Sequence, residues 1–240
     1  MSQAEDVGDD AELLEEQQAF YRARAPEYDD WWQRRGRYDR GPDETRVWQR
    51  QVAILDAALT SFGPSGDVLE LAGGTGWWTQ RLAQSAKRLT VVDSSPEAIE
   101  ISRRRIGRPD VDYVLADLFG WRPNRSFDVV FFSFWLSHVP RSLFGTFWGL
   151  VRSCLAPAGR VFFIDNRDDP NPEPRVDPYV VRYGPDLHLR RLDDGSEYRV
   201  VKVMHDPDEL ELLLEDEGWH AAVSGTRWFI FGSARPSSPP

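Results

Sequence analysis

The residues with chemical potential in this chain lie just past apolar runs. They are a glycine cluster, Ala72-Gly73-Gly74-Thr75-Gly76, then Asp93, Asp117 and His138. A glycine turn between a strand and a helix lets a ligand approach the backbone with no side chain in between, and in α/β sheets that place is a nucleotide site. The dinucleotide fingerprint G-x-G-x-x-G needs a last small residue where the helix packs on the strand. Here Trp77, Trp78 and Thr79 follow instead, so the turn is not tuned for two phosphates. Asp93, in "VVDSSPEAI", stands about 20 residues beyond the turn, where a carboxylate accepts both hydroxyls of a ribose. Asp117, in "LADLF", is placed to accept from an adenine amino group. The pattern describes a nucleoside held by carboxylates.

The elements needed to position these residues are legible. Strands are expected at 67–72, 89–93, 111–115, 127–133 and 160–165, alternating with helices at about 76–86, after Ser95-Pro96 and after Pro140. Ser95 can cap its helix and Pro96 suits the first helical position. The strands are near-continuous apolar runs, as in a parallel sheet covered on both faces. Helices are expected from Glu12 to about Arg35, broken at Pro26, and from about Asp43 to Thr60. After Asp165 a loop, "NRDDPNPEPRVDP", leads to a hairpin turning at Asp194-Gly195, a helix from Asp206-Pro207 to Gly218 and two last strands near 219–224 and 227–233. The expected organisation is a disordered acidic tail at 1–10, a helical lid at 11–60, an α/β domain at 61–235 with a hairpin insert at about 167–205, and a tail at 236–240. The lid carries Phe20, Tyr21, Tyr28, Trp31 and Trp32. Its aromatics are expected over the open strand ends, on a core that folds without residues 1–40.

An adenosine without phosphates points to S-adenosylmethionine. The segments "VLELAGGTG", "VVDSSPEAI", "ADLF" and "FDVVFFSFWLSHVP…LAPAGRVFFID" resemble class I S-adenosylmethionine-dependent methyltransferases, over about residues 67–165. Ala72 departs from that pattern, where Gly is more common. The resemblance implies a doubly wound, Rossmann-like, seven-stranded, mostly parallel sheet. It also implies that Glu70 orders the turn, that Ala72, Gly73, Gly74 and Gly76 face the methionine part, that Asp93 takes the ribose, that Ser94 lies beside the adenine, and that Asp117 with Leu118 holds the adenine edge. Phe134 and Tyr28 are placed on the same cofactor. Of the two tryptophans after the turn, one is expected to pack on the sheet. The other, Trp77, would face the pocket, where an aromatic wall favours a sulfonium; that both are packing residues is the competing reading.

Methyl transfer is an in-line displacement that positioning can largely catalyse, with a base needed only where a proton must leave. His138, past the fourth strand, is the candidate base. His188 and His205 are weaker ones. Asp165 and Asn166 resemble part of the metal set of catechol-type methyltransferases, but Ser133 and Phe134 stand where a third ligand belongs, so no metal is expected. The chain has 240 residues and a net charge of -10, which disfavours nucleic acid. Its apolar runs are too short to span a bilayer, and the single Cys154 suits the cytoplasm. The expected partner is a small, partly aromatic metabolite, methylated on O, N or C. An NAD-type oxidoreductase and a cofactor-binding protein without turnover are the competing readings.

Overall fold

The computed structural model describes residues 3–170 and 177–238. Seven strands form the main sheet: β1 Gly66–Leu71, β2 Ala86–Asp93, β3 Val111–Leu115, β4 Phe127–Ser133, β5 Leu155–Asn166, β9 Trp219–Gly225 and β10 Phe229–Pro236, in the order β3-β2-β1-β4-β5-β10-β9. The pairings among β3, β2, β1, β4 and β5 are parallel, and β10 runs antiparallel to both of its neighbours. The order reverses between β1 and β4. That makes a topological switch point, where the carboxyl ends of the strands open a crevice.

Alternation along the strands builds two cores. Leu69, Leu71, Val130, Phe132, Val161 and Phe163 face α6 (Phe144–Cys154) and α7 (Pro207–Asp216), with Trp148 and Trp219 fully buried between them. Val68, Val129, Phe131, Phe162 and Ile164 face the other way, toward α3 (Pro42–Phe62) and α4 (Thr79–Ser85). Both strand faces are apolar because both are covered, as the unbroken runs require. Helix α5 (Pro96–Ile106) is capped by Ser95, whose Oγ accepts from Ala98 N at 3.1 Å.

The N-terminal region differs from the expectation in two ways. The acidic start is not a disordered tail: helix α1 runs from Gln3 to Arg24, so its boundary with the expected lid at residue 11 is absent. The break at Pro26 is a single 3₁₀ turn, Ala25–Glu27, leading into α2 (Tyr28–Gln33), since proline lacks the N–H that continuation needs. Second, the lid aromatics are not a detachable cover. Trp32 and Trp48 are 4% and 5% exposed and belong to the core under the sheet. Removing residues 1–40 would uncover that core.

The hairpin insert is a separate antiparallel sheet of three strands, β6 (Val180–Tyr183), β7 (Leu187–Arg191) and β8 (Glu197–Val201). Its turn is centred one residue earlier than Asp194-Gly195. Gly195 N donates to Leu192 O at 3.0 Å, so Asp193 and Asp194 are the central pair. Gly195, at φ 87°, takes the left-handed position that closes the turn. Helix α1 lies along β8: the side-chain oxygen of Gln17 accepts from Val201 N at 3.1 Å, and Phe20 packs with Leu192 and Val200. The loop expected at 166–178 falls partly outside the described residues, as do 239–240 of the expected tail; β10 itself runs through Pro236.

Candidate functional site

The crevice at the switch point is a cavity walled by the ends of β1, β2 and β4 and by α1 and α2. Ala72, Gly74, Asp93, Ser94, Asp117, Leu118, Phe134, Tyr28 and His138 all line it. Nine of the residues singled out from sequence, far apart in the chain, thus converge there.

The turn bends by unusual backbone. Ala72, Gly74 and Gly76 have φ of 52°, 56° and 84°. At Gly74 a Cβ would meet nothing within 4 Å, so the backbone there faces open space that a ligand can fill. At Gly76 a Cβ would come 2.4 Å from Ser102 Oγ on α5. Gly76 therefore serves the close approach of a helix and does not line the cavity. Glu70 is not on the cavity either. It is buried beneath the turn, and its Oε2 accepts from Thr79 Oγ1 at 2.6 Å. Burial pushes its carboxyl up to about 8, against the Thr79 hydrogen bond and with some help from the Asp93 charge.

Asp93 is anchored by the backbone it faces. Its Oδ2 accepts from Gly74 N and its Oδ1 from Ser95 N, each at 2.8 Å. Burial raises its pKa while these N–H groups pull the other way. An ionised carboxylate offers about four lone-pair sites. Two are spent on the turn, and two remain for a pair of vicinal hydroxyls. With the open face at Gly74, this fits the ribose and chain of an adenosyl cofactor. Asp117 sits across the cavity, its Oδ1 accepting from Phe119 N at 3.2 Å.

Trp77 is not on the main cavity. Its ring stacks on Trp32, with centroids 5.1 Å apart and planes 2° from parallel. With Gly73 it lines a smaller adjoining cleft behind the turn. Trp78, 2% exposed, packs in the core near Phe131. Both rings are packed against neighbours and also border that cleft, an arrangement sequence could not decide because the partner, Trp32, comes from 45 residues earlier. Phe134 adopts φ 54° and donates its N–H to Ile164 O at 2.8 Å. That bend turns its ring onto Trp31 and Trp32, both 5.1 Å away.

His138 lines the cavity with both ring nitrogens engaged. Nδ1 lies 2.7 Å from Val201 O. A carbonyl only accepts, so Nδ1 carries the hydrogen. Nε2 is then the acceptor of the Tyr21 hydroxyl at 2.6 Å. Burial, with the nearby Lys202 charge, holds His138 well below the usual histidine range, and burial pushes Tyr21 up to about 12. The cavity-facing group is thus a neutral tyrosine held by a neutral histidine. His188 and His205 lie outside the cavities that His138 lines.

A second cavity adjoins the first through Tyr21, Tyr28, Phe134 and His138, which line both. Its remaining wall includes Arg24, Arg34, Arg40, Arg190 and Lys202, with Asn166 and Asp177. None of these cations stood out in the sequence, because they come from five separate elements or loops. Helical spacing does place Gln17, Tyr21 and Arg24 on one face of α1. Asp165 does not reach this cavity. It is fully buried and accepts from Ser137 N (2.9 Å), Ser137 Oγ (2.6 Å) and Asn166 N (2.6 Å). Its oxygens are committed to holding the chain after β4.

Residues 68–159 match a family described as a methyltransferase domain. Nodulation protein S of Rhizobium tropici is 31% identical over 136 residues, 55% of each protein, so the chain spans about half the length of that relative. Demethylmenaquinone methyltransferase of Renibacterium salmoninarum is 26% identical over 190 residues, covering 73% of this chain and 74% of the relative. A solved structure described as a DhpI–SAH complex is 37% identical, covers 95% of this chain and 98% of its own, and superposes with a TM-score of 0.74. A DhpI–SAM–HEP complex gives 37% identity and a TM-score of 0.73, covering 93% and 98%.

Proposed function

Because the chain belongs to the class I S-adenosylmethionine-dependent methyltransferases, we propose that it moves a methyl group from that cofactor to an oxygen or nitrogen of a small molecule. The observation that carries this reading is the shared wall. The cavity holding Asp93 and the glycine turn opens on a second cavity through Tyr21, Tyr28, Phe134 and His138. A donor in one and an acceptor in the other would meet there.

Bound in the first cavity, S-adenosylmethionine would supply an electrophilic methyl on a sulfonium. Asp93 would take the ribose hydroxyls, Asp117 and Leu118 the adenine edge, and the backbone of Ala72 and Gly74 the methionine part. Tyr21, Tyr28 and Trp31 on α1 and α2 would close the acceptor side and exclude water, which favours transfer to the acceptor. These helices are tied to the turn: Asp29 accepts from Thr75 Oγ1 at 2.8 Å and pairs with Arg105 on α5. The N-terminal segment therefore acts as a built-in wall. No helix among the described residues is long and apolar enough to cross a membrane. A cytoplasmic location is proposed from the single, buried Cys154.

The test is product formation. Release of S-adenosylhomocysteine on adding members of a small-molecule panel should be seen, and calorimetry should show binding of S-adenosylhomocysteine but not of NAD. Binding of NAD alone would replace this reading with the oxidoreductase one. Cofactor binding without turnover on any acceptor would leave a non-catalytic binding protein.

A further inference from the structure

The second cavity is unusual for this protein. The chain carries a net charge of -10, yet among the described residues the cavity wall brings together Arg24, Arg34, Arg40, Arg190 and Lys202 against one carboxylate, Asp177. Three of the five cations have a carboxylate within 4.0 Å: Arg34 with Glu44 at 3.7 Å, Arg40 with Asp177 at 4.0 Å and Lys202 with Asp165 at 3.9 Å. Arg24 and Arg190 have none among the described residues.

Their surroundings leave them short of partners. Arg24 donates from Nη2 to the Tyr38 hydroxyl at 3.1 Å, and its guanidinium lies 4.8 Å from the Tyr28 ring centroid. Its Nε is buried and unpartnered, as is that of Arg34. The Arg190 guanidinium makes no hydrogen bond or ion pair to any described residue, and burial lowers its pKa. Lys202 is 4% exposed and donates to Ser137 Oγ at 2.7 Å. Gathering cations in a partly desolvated cavity with few counter-charges is costly, and an anion placed among them would offset that cost. Arg24, Arg34, Arg40 and Arg190 are half-buried and line one shared volume with the buried Lys202. The cluster is not a simple ion-pair network among the described residues, since neither Arg24 nor Arg190 has a carboxylate there within 4.0 Å.

We propose that the methyl acceptor is a small organic dianion, held in this cavity by Arg24 and Arg190 with Lys202, Arg34 and Arg40 around it. Two guanidiniums without a carboxylate partner among the described residues match two negative charges, and guanidinium forks suit the paired oxygens of carboxylate or phosphoryl groups alike. The inference rests on the methyltransferase reading of the adjoining cavity and names its substrate class. It also accounts for His138. An oxyanion already has the electron pair it needs. One of its oxygens forms the new O–C bond as the C–S bond breaks. That bond's electron pair stays on sulfur, giving a neutral thioether, and no proton leaves. A general base is unnecessary, and a histidine with both nitrogens engaged is no handicap.

The test is calorimetry on the full chain saturated with S-adenosylhomocysteine, titrated in turn with inorganic phosphate, succinate and a neutral diol. Phosphate or succinate should bind at one site and the diol should not, and which of the two binds better identifies the phosphoryl or carboxylate class. Arg190→Ala should weaken the anion about tenfold to a hundredfold, since a hydrogen bond to a charged group is lost. Arg190→Lys should recover part of it, and S-adenosylhomocysteine affinity should stay within about twofold in both. That unchanged affinity also certifies that the variants are folded. Failure of S-adenosylhomocysteine to bind the unaltered protein would sink the methyltransferase reading itself. Normal S-adenosylhomocysteine binding with no heat from either anion would overturn only the dianion proposal. So would anion binding that Arg190→Ala and Arg24→Ala leave unchanged, or turnover of a neutral acceptor that survives both changes.

Discussion

Replacing Asp93 by alanine tests the cofactor site at its most defined point. The carboxylate gives two lone-pair sites to Gly74 N and Ser95 N, both at 2.8 Å, and keeps about two for ligand hydroxyls. A hydrogen bond to a charged group contributes about 1.5–3 kcal/mol. Two such bonds share one carboxylate and are partly replaced by water in the variant, so their joint loss is taken as about 2–4 kcal/mol. At about 1.4 kcal/mol per decade, S-adenosylhomocysteine should bind roughly 30- to 700-fold more weakly. Asp93→Asn keeps one acceptor oxygen but aims an amide NH2 at a backbone donor. Its loss should be smaller, roughly tenfold. Calorimetry measures both affinities, and circular dichroism with thermal melting checks that the fold survives. Affinity should also decline on the acid side, because protonating Asp93, whose carboxyl burial pushes upward, removes the charge and an acceptor together. The reasoning is refuted if both variants are folded and bind S-adenosylhomocysteine as the unaltered protein does.

Tyr21→Phe strips His138 Nε2 of its 2.6 Å donor and leaves a buried acceptor unpaired, a loss of about 1–3 kcal/mol in stability; an unchanged urea midpoint would mean that the bond does not form. Lys202, pushed down to about 8 by burial among Asp165, Arg190, Arg24 and Asp168, loses its charge above that pH. The acceptor KM should therefore rise between pH 8 and 10, an effect absent in Lys202→Met. The same shift makes folding stability rise from about pH 8 toward the ordinary lysine value. In that window the unfolded chain binds the proton that the folded chain has released, and urea titrations across pH would read it. Trp32→Ala should lower stability by about 3–5 kcal/mol, as for a buried aromatic, because the ring is 4% exposed and stacked on Trp77; a melting temperature within a degree or two of the original would restore the idea of a detachable cover.

The sheet and the cavity at its switch point were written locally. Unbroken apolar runs such as "FDVVFFS" at 127–133 can be satisfied only by a strand covered on both faces. The places where those runs stop, at Ala72, Asp93, Asp117 and Phe134, are chain positions that a parallel sheet must bring to one edge. Short-range chemistry was equally readable in Ser95 capping α5 and Pro26 breaking the N-terminal helix. Three matters were decided by the tertiary structure alone. The stacking of Trp77, in the turn before α4, depends on Trp32 of α2. The state of His138 depends on Tyr21 and on the carbonyl of Val201, 63 residues away. The cationic second cavity depends on Arg24, Arg34, Arg40, Arg190 and Lys202 meeting. In the sequence they are five unremarkable cations in an acidic chain, since charge carries no period that marks which side of an element turns inward. A pattern of apolar residues reports where the chain must leave water. What charges meet once it has done so is settled only by the closing of long loops around them.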